Sequence, residues 1–102
     1  MPAWSIVPGG ENMIEGTMIG MSASGKRLIV YRTKTGYFAT DRRCTHQGAD
    51  LLRGYFDREV IECPVHQGRF NVCTGAALSP PVSTPLAVYP VKVVDGKVLV
   101  EV

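Results

Sequence analysis

No run of about 18 apolar residues occurs in the sequence, which excludes a membrane-spanning helix. Charge of one sign is scarce as well. Eleven basic and nine acidic residues leave a net charge of +2. From Asp41 to Arg69 five arginines are matched by five acids. A nucleic-acid surface needs a basic stripe, and this chain has none; long-range steering of a partner is correspondingly modest. Cysteine is sparse and odd in number, at three, so a disulfide framework is a poor reading. The opening Met1-Pro2-Ala3-Trp4 lacks a basic region leading into an apolar stretch. No secretory leader is read, and the expected location is the cytoplasm. Helix signals are few, and four of the seven prolines fall between Pro80 and Pro90. There is no internal repeat or low-complexity tract. A length of 102 residues with 45% hydrophobic content suits one domain, residues 1–102, with a modest core.

What is present reads as strands. Leu28-Ile29-Val30-Tyr31, Tyr37-Phe38-Ala39, Val60-Ile61 and the span from Leu86 to Val94 are short β-branched or aromatic runs, broken by Gly, Pro, Asp and Thr. Asp95-Gly96 separates Val91-Lys92-Val93-Val94 from Lys97-Val98-Leu99-Val100. A pair that tolerates positive φ between two such runs predicts a type I′ hairpin. Ser24-Gly25 and Thr35-Gly36 predict two more turns. The expected fold class is all-β, with several short antiparallel strands.

Both histidines and two of the three cysteines fall in two short segments. The first is Cys44-Thr45-His46-Gln47-Gly48-Ala49. Sixteen residues separate His46 from the second, Cys63-Pro64-Val65-His66-Gln67-Gly68. Each segment offers one thiol and one imidazole. Each continues into glycine, which lets a loop wrap closely around a bound group. Each follows a candidate strand, Tyr37 to Asp41 and Glu59 to Glu62, so two hairpin tips could clasp one metal centre through Cys44, His46, Cys63 and His66. Two thiolates and two imidazoles can hold zinc, but zinc fingers usually draw both cysteines from one knuckle. One Cys and one His from each loop suits a binuclear iron–sulfur centre, with the thiolates on one iron and the imidazoles on the other. A structural zinc module without redox chemistry is the competing reading. Cys73 reads as a strand residue, since the ligand set is complete without it. Gly9-Gly10-Glu11 lacks the strand–GxGxxG–helix context and reads as a turn. Arg42 and Arg43 read as solvated strand-end charges, with contact to a partner as the second reading. Gln47 and Gln67, each following a histidine, read equally as the border of a docking face and as simply exposed residues.

The pattern Cys44-x-His46-x16-Cys63-x2-His66 resembles the Rieske signature. From Asp41 to Val93 the chain is similar to the small Rieske ferredoxins of bacterial aromatic-ring dioxygenase systems, the naphthalene dioxygenase type in particular. The residues carrying that likeness are Cys63-Pro64-Val65-His66-Gln67-Gly68-Arg69-Phe70-Asn71-Val72-Cys73-Thr74-Gly75 and Tyr89-Pro90-Val91-Lys92. The chain before Asp41 matches mainly in strand pattern. The resemblance implies a Rieske fold of three layered antiparallel sheets with a two-loop cluster-binding tip. It implies one [2Fe–2S] cluster, with Cys44 and Cys63 on the inner iron and His46 and His66 on the outer, exposed one. It also places Pro80-Pro81 in a loop that covers the cluster. Respiratory members of the family carry an extra Cys in each loop, where this chain has Ala49 and Val65, so no disulfide between the loops is expected. They also carry a Ser and a Tyr where this chain has Gly68 and Phe70. Without hydroxyl donors to sulfur the potential falls, toward about −150 mV.

The function this implies is a soluble, low-potential electron carrier. It would take single electrons from a ferredoxin reductase and give them to a terminal aromatic-ring dioxygenase, acting as a monomer with no nucleic acid or membrane as partner. It would not itself be an enzyme. A Rieske oxygenase needs a second iron held by two His and a carboxylate, and this chain has no third histidine. A small Rieske subunit of another oxidoreductase, such as a nitrite reductase, is the alternative.

Overall fold

The computed structural model describes residues 3–65 and 67–102. Among them, three antiparallel sheets account for the regular structure, with two short 3-10 turns at Gly10–Asn12 and Leu51–Arg53. The first sheet orders β1 (Trp4–Ile6), β11 (Lys97–Glu101) and β10 (Val91–Val94). The second orders β2 (Met18–Ala23), β3 (Lys26–Thr33), β4 (Gly36–Asp41) and β9 (Val88–Tyr89). The third is a meander of β5 (Tyr55–Asp57), β6 (Val60–Glu62), β7 (Arg69–Asn71) and β8 (Ala77–Ser79).

The run Leu28-Ile29-Val30-Tyr31 explains the layering. Strand side chains alternate between faces, and all four of these residues are fully buried. β3 is therefore covered on both sides. Leu28 and Val30 pack with Val7, Ala39, Val98 and Val100 toward the first sheet. Ile29 and Tyr31 pack with Leu51, Ile61, Phe70, Val72, Cys44 and Cys63 toward the third. Tyr31 closes this second core, its ring 4.9 Å from that of Phe56 and its hydroxyl 2.9 Å from Thr40 Oγ1. The expected all-β fold of antiparallel sheets is observed; beyond it, the middle sheet separates two cores, and Cys44 and Cys63 belong to one of them.

The turns follow their residues. Asp95 and Gly96 both have positive φ, 51° and 77°, and close the β10–β11 hairpin. Ser24 and Gly25, at 51° and 77°, do the same between β2 and β3. The third turn falls one residue earlier than expected, on Lys34-Thr35, with Gly36 already pairing with Thr33. The span from Leu86 to Val94 divides at Pro90, which has no N–H to give a ladder. β9 pairs with β4 in the second sheet and β10 with β11 in the first. Gly9-Gly10-Glu11 enters the first 3-10 turn, with Gly9 at φ 72°.

Candidate metal centre

Both cysteine segments are hairpin tips built on braced stems. Beyond β4 the chain doubles back on itself. Arg43 bridges to Asp50, Leu51 N–H donates to Arg42 C=O at 2.8 Å, and Cys44 N–H donates to Ala49 C=O at 2.8 Å. Arg42 donates through Nε and Nη2 to the two carboxylate oxygens of Asp50, each at 2.8 Å. Asp50 Oδ1 also accepts from Leu52 N–H at 3.0 Å, capping the 3-10 turn that follows. The bidentate Arg42 guanidinium is the main reason the Asp50 carboxyl titrates near about 2. The second tip repeats the plan. Glu62 pairs with Arg69 across β6 and β7, Arg69 Nε lies 2.9 Å from Glu62 Oε1, and Cys63 N–H donates to Gly68 C=O at 2.7 Å. Each stem thus carries an Arg–carboxylate pair, and each loop is closed from its cysteine to the carbonyl five residues on.

This equivalence differs from the one read in the sequence, where the glycines after each Gln were paired. In the fold, Gly48 (φ 71°) corresponds to Gln67 (φ 60°), each in left-handed backbone just before the closing residue. Gly68 corresponds to Ala49 and is absent from the left-handed region. Its lack of a side chain has another cause: a Cβ built there would lie 2.5 Å from Cγ1 of Val82.

Val82 belongs to a third segment that sequence reasoning placed over the site only through Pro80-Pro81. Val82 and Leu86 are buried in the cysteine-containing core. Leu86 N–H donates to Gly75 C=O at 2.8 Å. Thr45 Oγ1 donates to Thr84 C=O at 2.7 Å and ties this segment to the first loop. Residues 79–86 therefore contact both loops. Neither Thr45 nor Val82 carried a signal in the sequence, because their partners lie in a different segment.

The four expected ligands sort by depth. Cys44 and Cys63 are both 2% exposed, their thiols face each other, and neither forms a disulfide. Burial raises the Cys63 thiol most. The adjacent Cys44 thiol raises it further, while the Val65 N–H, donating to sulfur, lowers it. His46 is exposed at the tip, as are Gln47, Val65 and Gln67. His66 lies outside the described residues. No group of three or more His, Cys, Asp or Glu among the described residues is placed to hold one ion. Cys73, expected as a buried strand residue, instead lies half-buried in the turn after β7, its backbone N–H donating to Asn71 Oδ1 at 2.8 Å. Its thiol is pushed up to about 11, first by burial and then by Glu59 beside it.

Two buried, facing, unbridged thiols suit a thiophilic cation. Metal-bound cysteine is a thiolate, and an anion in this apolar core is costly unless compensated. A bound cation reverses that balance, and the Val65 N–H supplies a hydrogen bond that favours the thiolate form. The residues present fit a cluster whose sulfur side is buried at Cys44 and Cys63 and whose edge at His46 is exposed.

Comparison with known proteins agrees. The family model for the Rieske [2Fe-2S] domain matches residues 3–90. The ferredoxin component of the naphthalene 1,2-dioxygenase system of Pseudomonas putida is 42% identical over 91 residues, covering 89% of this chain and 88% of that one. Among solved structures, a complex of reduced oxygenase and oxidized ferredoxin in carbazole 1,9a-dioxygenase matches with a TM-score of 0.89 and 43% identity, over 95% of this chain and 91% of that one. The structure named for an NADH-dependent nitrite reductase small subunit of Mycobacterium tuberculosis matches with a TM-score of 0.82 over 100% of this chain and 96% of that one. Its identity is 24%, a likeness of fold alone. The chain belongs to the Rieske [2Fe–2S] domain family, and its cofactor is a Rieske [2Fe–2S] cluster.

Proposed function

We propose that this chain, acting as one unit over residues 1–102, is the ferredoxin of an aromatic-ring dioxygenase system, with Cys44, His46, Cys63 and His66 as its cluster ligands. The observation that carries the reading is the pair of facing, buried, unbridged thiols of Cys44 and Cys63 beneath a tip that exposes His46. When bound, a Rieske cluster supplies reversible one-electron chemistry.

The chain's own residues supply the rest. Cys44 and Cys63 hold the sulfur side inside the second core, away from water. The Val65 N–H donates to Cys63 Sγ and stabilises the thiolate form that ligation needs. The Arg42–Asp50 and Arg69–Glu62 pairs brace the two stems that carry the loops. Thr45 and Val82 hold residues 79–86 against the loops. The exposed His46 side is the edge a partner approaches. A ferredoxin reductase is the proposed donor and a terminal oxygenase the proposed acceptor. The protein would work as a cytoplasmic monomer, with catalysis left to the partner. No helix among the described residues is long and apolar enough to cross a membrane.

The deciding experiment is electron paramagnetic resonance of dithionite-reduced, freshly purified protein, alongside iron, zinc and acid-labile sulfide analysis. A Rieske-type signal is expected, and His46→Ala or His66→Ala should abolish it. Zinc without iron or sulfide would refute the cluster. Reconstituted electron flow from a reductase to an oxygenase then tests the carrier role.

A further inference from the structure

We infer that a basic pocket beside the first loop seats an acidic segment of the protein that exchanges electrons with this one, an inference that rests on the carrier role proposed above. The pocket has a volume of about 450 Å³ and brings together Lys26, Arg27, Arg42 and Arg43 with only two carboxylates, Asp41 and Asp50. β3 and β4 create it, because Leu28 pairs with Asp41 and so sets the start of one strand beside the end of the other.

Both carboxylates are already engaged. Asp50 has each oxygen on Arg42 at 2.8 Å. Asp41 Oδ1 accepts from the Tyr89 hydroxyl at 2.5 Å, and Lys26 Nζ lies 5.4 Å from the centre of the Tyr89 ring. Arg27 and Arg43 are exposed, and among the described residues neither makes a side-chain hydrogen bond or ion pair. Both arginines line the pocket, where Arg27 also acts electrostatically on Asp50. Four cations against two carboxylates leave a local excess of +2, equal to the net charge of the whole chain. The seven basic and seven acidic residues outside the pocket cancel, so the net charge of the chain equals that of this lining.

Guanidinium forks match carboxylates bidentately. The pocket volume exceeds what one carboxylate fills, so it admits neighbouring side chains of a short acidic segment. Position links the pocket to the redox edge. Asp41, Arg43 and Gly48 also line an adjoining depression formed by Cys44, Thr45 and Gln47. A carboxylate held by Arg27 and Arg43 therefore lies against the loop that carries Cys44 and exposes His46. Docking there brings the partner's surface to the imidazole edge, and rim charges of this kind act mainly on encounter rate and orientation.

The test uses isotope-labelled holoprotein at low ionic strength, its Rieske signal first verified on the same sample. Loss of that signal would fell the carrier reading and this inference with it. With the signal present, only the docking is at stake. A short poly-aspartate peptide is titrated in while the arginine Nε–H and backbone amide resonances are followed. Shifts are expected at Arg27, Arg43 and Gly25. Arg27→Gln combined with Arg43→Gln should weaken binding about three- to tenfold, as expected for two exposed ion pairs. Lys34→Gln, in the turn at the opposite end of β3, should leave it unchanged. Equal weakening by Lys34→Gln, shifts spread over Arg53 and Arg69, or no shift at all would overturn the inference. So would inorganic phosphate producing the same shifts at the same affinity, which would mark a small-anion site instead.

Discussion

Substituting Gly68 by alanine isolates the contact that seals the second loop. The added methyl would sit 2.5 Å from Val82 Cγ1, 3.2 Å from Cγ2 and 3.3 Å from Cβ. Favourable carbon contacts lie at about 3.5–4.0 Å, so one side must give by about 1 Å. Val82 is 6% exposed in the core that holds both cysteines and has little room to retreat. Overpacking of this kind costs about 1–3 kcal/mol. Val82→Ala alone removes two carbons, about 1.6 kcal/mol of burial plus a small cavity. If the two sites were independent, the double variant would lose about 4 kcal/mol, near 20 °C in a domain of this size. Because the new methyl enters the space vacated by a Val82 methyl, the double variant should lose only about 1–2 kcal/mol, a coupling near 2 kcal/mol.

The assay is thermal unfolding of the four holoproteins at one scan rate, followed by far-ultraviolet circular dichroism and by the visible absorbance of the cluster. Gly48→Ala serves as the control. Gly48 has φ 71°, and the nearest atom to a built Cβ is Arg43 Cδ at 3.4 Å, so its constraint lies in the backbone. It should cost about 1 kcal/mol, and Val82→Ala should not relieve it. Additivity of Gly68→Ala and Val82→Ala within about 0.5 kcal/mol would refute the steric account. So would equal relief of Gly48→Ala.

Asp50→Asn should destabilise by about 1 kcal/mol at neutral pH, because the lost pair is partly solvated. The folded Asp50 carboxyl titrates near about 2, below its ordinary 3.8. Its contribution is therefore full above about pH 4 and fades as pH falls toward 2, so the gap in melting temperature between wild type and variant should close over that window. Cys73→Ala should leave the Rieske signal intact, and the Cys73 thiol, held near about 11, should resist alkylation at neutral pH. A lost signal would make Cys73 a ligand. Thr45→Val removes the 2.7 Å bond to Thr84 and should speed iron loss to a chelator by about two- to tenfold; an unchanged rate would show that the tether does not guard the site. A redox titration should place the midpoint near −150 mV, roughly the low end of the Rieske range. A value well above zero would show that Gly68 and Phe70 do not set it.

The strands legible in the sequence were those with a reason internal to their own segment. Leu28 to Tyr31 is apolar on both faces, and Asp95-Gly96 announces its turn, so β3, β10 and β11 could be read directly. β2, with Met18-Ile19-Gly20-Met21-Ser22-Ala23, has little intrinsic strand preference and exists because all six residues pair with β3. β5, β7 and β8 are three residues each, too short for any period to show. β5 and β7 are strands because β6 stands between them, β8 because it pairs with β7, and Ile61 and Phe70 are buried in this sheet.

The site divides along the same line. Ligand type and spacing are properties of a segment, and Cys44 and Cys63 come together as that spacing suggests. What the segments cannot contain is the reason for Gly68, which sits in residues 79–86. The two loops look alike in sequence because Gln-Gly follows each histidine, yet the fold aligns them by their closing hydrogen bonds, and by that measure Gln67 takes the left-handed position held by Gly48. A non-glycine residue there costs about 1 kcal/mol or more. The second loop sustains that cost because the Cys63–Gly68 bond closes it from below and Val82 packs onto Gly68 from the side. Glycine at 68 is thus the condition for residues 79–86 to approach. Any side chain there would first have to displace Val82 before it could donate a hydrogen bond to sulfur.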